Sequence, residues 1–276
     1  MSATVLTSKN NPLVRTIRLV AEQARRAPSG LVLAEGLRVL EEATAAGCRI
    51  EAVLVTEAFG GEARERSLLR TWSDRGVRVQ FATAAVMDRL SDVVSPQGVL
   101  ALVHVPELTL AEAPQPQNPL ILCLCGMQDP GNLGTLLRTA RAAGVSFVCC
   151  TSGTVSARNS KSIRASAGAF FCIPVIEKLV AAEFLQYCRN GHIRVCKADA
   201  HSGTSCWSTD LASSTAILLG NEARGFSRQE WDEVPSVRIP LSAGVESLNV
   251  AAAGAVLVFE AYRQRSERNR EKAKHE

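Results

Sequence analysis

Three short polar segments set among apolar runs hold the residue types that could do chemistry. They are Asn132 to Arg138 in DPGNLGTLLRTARAAG, Gly220 to Glu222 in ILLGNEARG, and Ser247 to Asn249 in VESLNVAAAG. Together they offer carboxamides, a carboxylate, arginine and glycine backbone, a set suited to orienting a ligand and stabilising developing charge. Signatures of other chemistries are missing. The sequence has no GxxxxGK[ST], no GxGxxG after a strand, no GxSxG elbow and no HExxH, so nucleotide hydrolysis, dinucleotide redox chemistry, ester hydrolysis and zinc hydrolysis lose their usual warrants. His104, His192, His201 and His275 are scattered, and the nine cysteines are odd in number and form no CxxC pair. The cysteines read as reduced core thiols, and no metal site is expected.

Each segment alone has a plain structural reading. Asn132 sits where the N-cap of a helix over Leu133 to Ala143 belongs, and Arg138 and Arg141 would share a solvated face of that helix. Gly220 and Gly225 could simply make a loop, although Gly-Asn-Glu directly after ILL puts an amide and a carboxylate at a strand end. The third segment follows a strand end at Pro240 and a six-residue loop. It opens a helix rich in small residues, Ala251, Ala252, Ala253 and Gly254, which permit close approach to a ligand, another helix or a twofold-related subunit.

The elements that must position these segments follow from periodicity. Residues 12 to 27 and Leu37 to Ala46 read as helices, LVLAEG at 31 to 36 as a strand and its turn, and EAVLVT and VRVQFAT as strands flanking a helix near 62 to 75. GVLALVHV closes this part. Pro106, Pro114, Pro116 and Pro119 then mark a linker. The second part reads as mostly parallel α/β. Its strands are expected at ILCLCG, VSFVCCT, 171 to 176, 193 to 198, 215 to 219 and 237 to 241, with helices at 133 to 143, near 181 to 189 and at 249 to 266. The expected organisation is a small α/β domain over 1–105, a linker over 106–118 and a larger α/β domain over 119–276. In open parallel sheets, ligands bind at loops beyond the strand ends, where all three polar segments fall.

With 276 residues, 46% hydrophobic content and 21% charge, the chain has the composition of a globular protein. Its apolar runs are too short to span a bilayer and the N-terminus lacks a signal-peptide core, so a cytoplasmic location is expected. The net charge of +4 is uneven. Residues 1 to 30 carry five bases against Glu22 alone, and residues 261 to 276 carry six bases against three acids. Basic ends on a slightly acidic body suit a polyanion such as RNA, or are simply solvated termini.

Taken in order, the segments resemble the motifs of the SpoU/TrmH family of RNA ribose 2′-O-methyltransferases, of the SPOUT class. The match is carried by NxGxxxRxAxxxG from Asn132 to Gly144, LxGNExxG from Leu218 to Gly225, and IPLxxxxxSLNVAxA from Ile239 to Ala253. KSIRASAGAFFCIPV at 161 to 175 also looks like a family segment. SKNNPLVR, LAEGLRVLEEA and SPQGVLAL resemble the RNA-binding extension of many members, which is related in fold to small ribosomal proteins. The resemblance implies a C-terminal α/β domain with a deep trefoil knot, homodimerisation through that domain, and S-adenosyl-L-methionine as cofactor. It places Gly220, Asn221, Ile239, Leu241 and Leu248 around the cofactor. Arg138 matches the catalytic arginine, with Asn132, Glu222, Ser247 and Asn249 completing the catalytic set. Arg15, Arg38, Lys161 and Arg164 are the expected RNA contacts. The implied activity is methylation of a ribose 2′-hydroxyl in structured RNA, rRNA before tRNA. The alternative from another class is a catalytically silent RNA-binding or assembly protein.

Overall fold

The computed structural model describes residues 5–7, 10–22, 30–226 and 229–274. The chain divides into two compact units, residues 1–106 with 158–172, and residues 107–157 with 173–276. Lys9, Arg25, Arg26 and His275 lie outside the described residues.

The first unit contains α1 (Pro12–Glu22), β1 (Leu31–Glu35), α2 (Leu37–Ala45), β2 (Arg49–Thr56), α3 (Ala63–Asp74), β3 (Arg78–Ala82), α4 (Ala84–Met87) and β4 (Val99–His104). The strands form one sheet in the order β1-β4-β2-β3, antiparallel except for the β2–β3 pair. Helix α1 turns Leu13, Val14, Ile17 and Val20 inward onto Leu33, Leu54, Leu100 and Leu102, as its i, i+4, i+7 spacing predicts. Each such side chain contributes roughly 1.5–3 kcal/mol when fully buried. Trp72 of α3 is fully buried and donates its indole N–H to Thr44 Oγ1 at 3.0 Å, so its one polar atom is satisfied. The expected strands and helices of this part form within the described residues, with residues 23–27 of the first expected helix lying outside them, and the four-residue α4 is additional.

Residues 158–172 join this unit although sequence reading assigned them to the larger domain. Arg158 explains the start of the departure: its guanidinium donates to the carbonyls of Val105 and Pro106 at 3.0 and 2.6 Å. The short helix α6 (Ser160–Ala165) then packs on β1, and Arg164 Nη1 meets the buried carboxylate of Glu35 at 2.9 Å. Glu35 also accepts from Ser91 Oγ. Gly168 adopts φ +87°, and a Cβ there would stand 2.6 Å from Glu42 Cβ, so only glycine permits this approach to α2.

The second unit contains β5 (Leu120–Leu124), α5 (Pro130–Ala142), β6 (Phe147–Thr151), β7 (Val175–Leu179), α7 (Ala181–Asn190), β8 (Arg194–Ala198), β9 (Thr204–Ser205), β10 (Thr215–Leu219), β11 (Ser236–Arg238) and α8 (Val250–Lys272). Its strands run parallel in the order β7-β6-β5-β10-β8-β11-β9. The central strands β5 and β10 are buried at every position, as continuous apolar runs such as LILCL and TAILL require in a parallel sheet covered on both faces. Three expectations shift. The run at 171 to 176 gives β7 four residues later, because Ala169–Phe171 turns as a 3₁₀ segment. The strand expected at 237 to 241 ends at Arg238, which lengthens the following loop. The final helix extends through the charged tail to Lys272. All nine cysteines are free, and burial pushes the thiols of Cys188 and Cys196 up to about 12, which keeps them protonated and inert.

Helix α8 is held at both ends of its inner face. Near its start, a Cβ on Gly254 would stand 2.4 Å from Leu136 Cδ2 and 2.6 Å from Leu219 Cδ1, so the small residue serves packing against α5 and β10. Two turns on, Glu260 is buried, and hydrogen bonds from Arg263 and Gln264 hold its carboxyl below the usual range. Arg265 reaches four carbonyls: Leu211 at 3.1 Å, Asn118 at 2.7 Å, Pro119 at 3.1 Å and Ser213 at 2.5 Å. No shorter or single-pointed cation can span that set. Replacing Arg265 with Ala is expected to lower unfolding free energy by about 2–3 kcal/mol, because part-buried carbonyls lose a charged donor. Arg265→Lys should recover less than half of the loss in denaturant melts. A change under about 0.5 kcal/mol, typical of an inert surface position, would contradict the clamp.

Candidate active site

The sheet sets the site. Leu219 pairs in register with Leu124, so the chain leaves β5 and β10 side by side. Cys125 N–H donates to the Leu219 carbonyl at 2.8 Å, and the Asn221 amide donates to the Gly126 carbonyl at 2.8 Å. The same Asn221 closes its own turn, its Oδ1 accepting from Ala223 and Arg224 N–H at 2.9 and 3.0 Å. Reciprocal 2.9 Å backbone bonds between Asn221 and Gly225 tighten that loop. Gly220 is therefore obligatory, since a Cβ there would lie 2.8 Å from the Gly225 backbone.

Asn132 does not cap α5. Asp129 does, accepting from Gly131 and Asn132 N–H at 3.2 and 3.0 Å, with Pro130 at the first helical position where a missing N–H costs nothing. That correction frees the Asn132 side chain for another task. Its Nδ2 donates to Glu222 Oε1 at 3.1 Å, and its Oδ1 accepts from Asn249 Nδ2 at 3.2 Å. Asn249 in turn caps α8, its Oδ1 accepting from Ala251 and Ala252 N–H at 2.9 and 3.2 Å. One residue from each polar segment thus enters a single chain of hydrogen bonds.

The polarity of this chain is dictated. Two backbone donors claim the Asn249 oxygen, so its nitrogen must face Asn132. The Asn132 oxygen must then accept, and its nitrogen must donate to a carboxylate, which has only acceptors when ionised.

Beside this chain lies a cavity of about 400 Å³, which Glu222 and Asn249 line and Asn132 does not. Gly220, Asn221, Glu222, Ile239, Leu241, Ser247, Leu248 and Asn249 all line it. Asp199, at the end of β8, joins them. Burial would raise its carboxyl, but backbone N–H groups of His201 and Ser202 and the Ser202 hydroxyl hold it below its ordinary value. Among the described residues, no lysine, arginine or histidine lines the cavity. Leu248 is 38% exposed although apolar, presenting a free apolar face at the mouth.

The other expected residues lie apart. Arg138 is exposed on α5, outside the cavity lining, and has no ion pair among the described residues. Arg15, Arg38 and Lys161 are exposed on the first unit, with Arg38 Nη2 3.7 Å from Glu42. Arg164 is committed to Glu35. Sequence reading missed Asp129 and Asp199. The Asp-Pro-Gly run at the helix start would have given the first, and the strand-end position of KADAHSG the second.

A parallel sheet whose strand-end loops enclose an amide- and acid-lined cavity defines an α/β domain built to hold a small ligand. Comparison with known proteins makes this specific. Residues 119–259 match the SpoU rRNA Methylase family and residues 11–101 match the MRM3-like substrate binding domain. The chain belongs to the SpoU rRNA methylase family. It is 29% identical over 253 residues to the 23S rRNA (guanosine(2553)-2′-O)-methyltransferase RlmP of Bacillus subtilis (strain 168), covering 91% of this chain and 96% of the relative. It is 30% identical to the uncharacterized tRNA/rRNA methyltransferase slr1673 of Synechocystis, covering 94% of this chain and 93% of the relative. The crystal structure of an AdoMet-bound rRNA methyltransferase from Sinorhizobium meliloti superposes with a TM-score of 0.82 at 26% identity, covering 94% of this chain and 97% of that one.

The polarity argument predicts the behaviour of Asn132→Asp, which sets a carboxylate against Glu222. Like charges raise the folded-state pKa values of the pair, so the variant's stability is retained at low pH and lost as pH rises through the carboxyl range. Its deficit relative to the parent should therefore grow between about pH 4 and 7, to on the order of 1 kcal/mol. A deficit independent of pH would contradict the assigned polarity.

Proposed function

We propose that this protein transfers a methyl group from S-adenosyl-L-methionine to a ribose 2′-hydroxyl of structured RNA, rRNA of the 23S type above all. The observation that carries the reading is the cavity lining. Asp199 and Glu222 line it and no basic side chain among the described residues does, which suits a cationic sulfonium and disfavours a phosphate-bearing ligand. The apolar side chains of Ile239, Leu241 and Leu248 suit a flat purine, with Gly220 and Asn221 offering backbone and amide groups at its edge. The volume also falls within the roughly 300–1,000 Å³ of small-molecule sites. When bound, the cofactor supplies a methyl group already activated on sulfur. The residues of this chain then have to orient the hydroxyl and manage its proton and charge.

A guanidinium stays charged in proteins, so the role of Arg138 is to hold the target phosphate and stabilise charge developing on the 2′-oxygen. Its exposure, with no ion pair among the described residues, leaves it available. Asn132, Ser247 and Asn249 order the cofactor and the loops. Arg15, Arg38 and Lys161 contact RNA phosphates, while Arg164 chiefly positions the segment that carries Lys161.

Homodimerisation through the second unit fits α8, where Phe259 and Tyr262 are 46% and 48% exposed on one face. A trefoil knot fits the path of the chain. Strand β11 lies beyond β8, yet α8 returns to pack on α5 and β10, so residues 239–249 must recross the strand ends. The mixed sheet of the first unit suits the fold of small ribosomal proteins. A cytoplasmic location accompanies an rRNA substrate, and no helix among the described residues is long and apolar enough to cross a membrane.

Calorimetry with S-adenosyl-L-methionine followed by transfer of labelled methyl to rRNA and tRNA tests this reading. Ribose-methylated 23S-type rRNA is expected. Arg138→Ala should reduce transfer by about 10²–10³-fold with cofactor affinity unchanged. Near-normal transfer by Arg138→Ala would overturn its assignment. Cofactor binding without transfer to any RNA would favour a silent assembly protein.

A further inference from the structure

The first unit has a cavity of its own, about 270 Å³, beside the start of α2. Val39, Val93 and Ala167 supply its apolar walls. Arg164, Gln97 and Ser95 supply polar groups, with the exposed Arg38 also in the lining. The volume falls below the roughly 300–1,000 Å³ of sites for drug-sized ligands, so it suits one flat ring system with little else attached.

The hydrogen bonds already made decide what the cavity has left to offer. Gln97 Oε1 accepts from the Leu37 N–H at 2.8 Å, an approach that Gly36 admits: at φ +99°, a Cβ there would stand 3.0 Å from that oxygen. With its oxygen claimed, Gln97 keeps its amide nitrogen, which has no partner among the described residues. Glu35 is buried in the lining, and both its oxygens already accept, one from Ser91 Oγ and the other from Arg164 Nη1 at 2.9 Å. That ion pair orients Arg164, whose other N–H groups have no partner among the described residues. The Ser95 hydroxyl has none either. The side chains left free are therefore N–H donors and one hydroxyl, set between apolar walls.

A donor-rich slot selects a ring that presents acceptors side by side. Guanine does so with O6 and N7, whereas adenine sets an amino donor beside its N7 and each pyrimidine offers a single group at that edge. The base must also be unpaired, because the major groove of an RNA helix is too deep and narrow for side chains to read. We infer that this cavity receives an extruded guanine of the RNA, read at O6 and N7 by Arg164 and Gln97. This rests on the RNA-substrate reading above. Arg38 holds a phosphate flanking that guanine. The contact is one of recognition and takes no part in the transfer step.

The test uses the full-length protein and short uridine-rich single strands carrying one central guanosine, adenosine, inosine or 7-deazaguanosine, with affinity read by fluorescence anisotropy. The guanosine strand should bind about 5–100-fold more tightly than the adenosine strand. Inosine, which keeps both acceptors, should match guanosine within about twofold, and 7-deazaguanosine, which lacks N7, should fall towards adenosine. Gln97→Glu keeps an oxygen for Leu37, so its thermal midpoint should equal the parent's, but it turns an acceptor towards the base. Its added charge weakens both strands alike, so the guanosine-to-adenosine ratio is the quantity to read, and it should fall to about one. Equal affinity of the parent for the guanosine and adenosine strands overturns the inference, as does a preference that survives in Gln97→Glu, which places the reader elsewhere. A preference kept by 7-deazaguanosine overturns it as well. Methylation of rRNA by a protein without guanine preference would sink this inference alone. A preference lost in Gln97→Glu, from a protein that methylates no RNA, would uphold it and sink the methyltransferase reading.

Discussion

The two-sided hydrogen bonding of Asn132 is the constraint on which the site depends. Its amide spans 3.1 Å to Glu222 and 3.2 Å to Asn249, tying together loops that leave three different strands. A carboxamide alone can give and accept along one line, and here both directions are fixed by the partners at either end. The rest of the second unit supplies that alignment. The β5–β10 register brings the first two loops together, Gly254 lets α8 close on α5, and the Arg265 clamp holds the far half of α8 to the opposite loops. Asp129, by capping α5, leaves Asn132 free to bridge.

Charge is divided in a way that matches two unlike ligands. The described lining of the cavity offers acids and amides and no base, whereas Arg15, Arg38, Lys161, Arg138 and Arg224 stand exposed. A sulfonium donor and a polyanionic acceptor would thus be drawn to different surfaces. An arginine that stays charged is suited to phosphate and oxyanion rather than to accepting a proton.

Much of this was legible in the sequence, for identifiable reasons. Apolar runs such as LILCL and TAILL announced buried parallel strands, and the polar segments at their ends announced the site. Asn132, Glu222 and Asn249 were found this way, but their mutual contacts depend on strand register, which no local pattern contains. That residues 158–172 pack with the first unit could not be read locally, because their docking relies on Arg158, Arg164 and Gly168 meeting groups more than fifty residues away. The capping role of Asn132 was misread because Asp129 and Pro130 offered a better start three residues earlier. The ligand and the knot came from family resemblance, since neither follows from periodicity.

The central claim, that the loops after β10 and β11 together make one cofactor site, is most directly tested by hydrogen exchange with and without saturating S-adenosyl-L-methionine. The account predicts that binding slows exchange at amides in residues 219–226 and 239–251 together, with residues 31–56 of the first unit unchanged. Protection confined to one of those two loops, or found chiefly in the first unit, would contradict it.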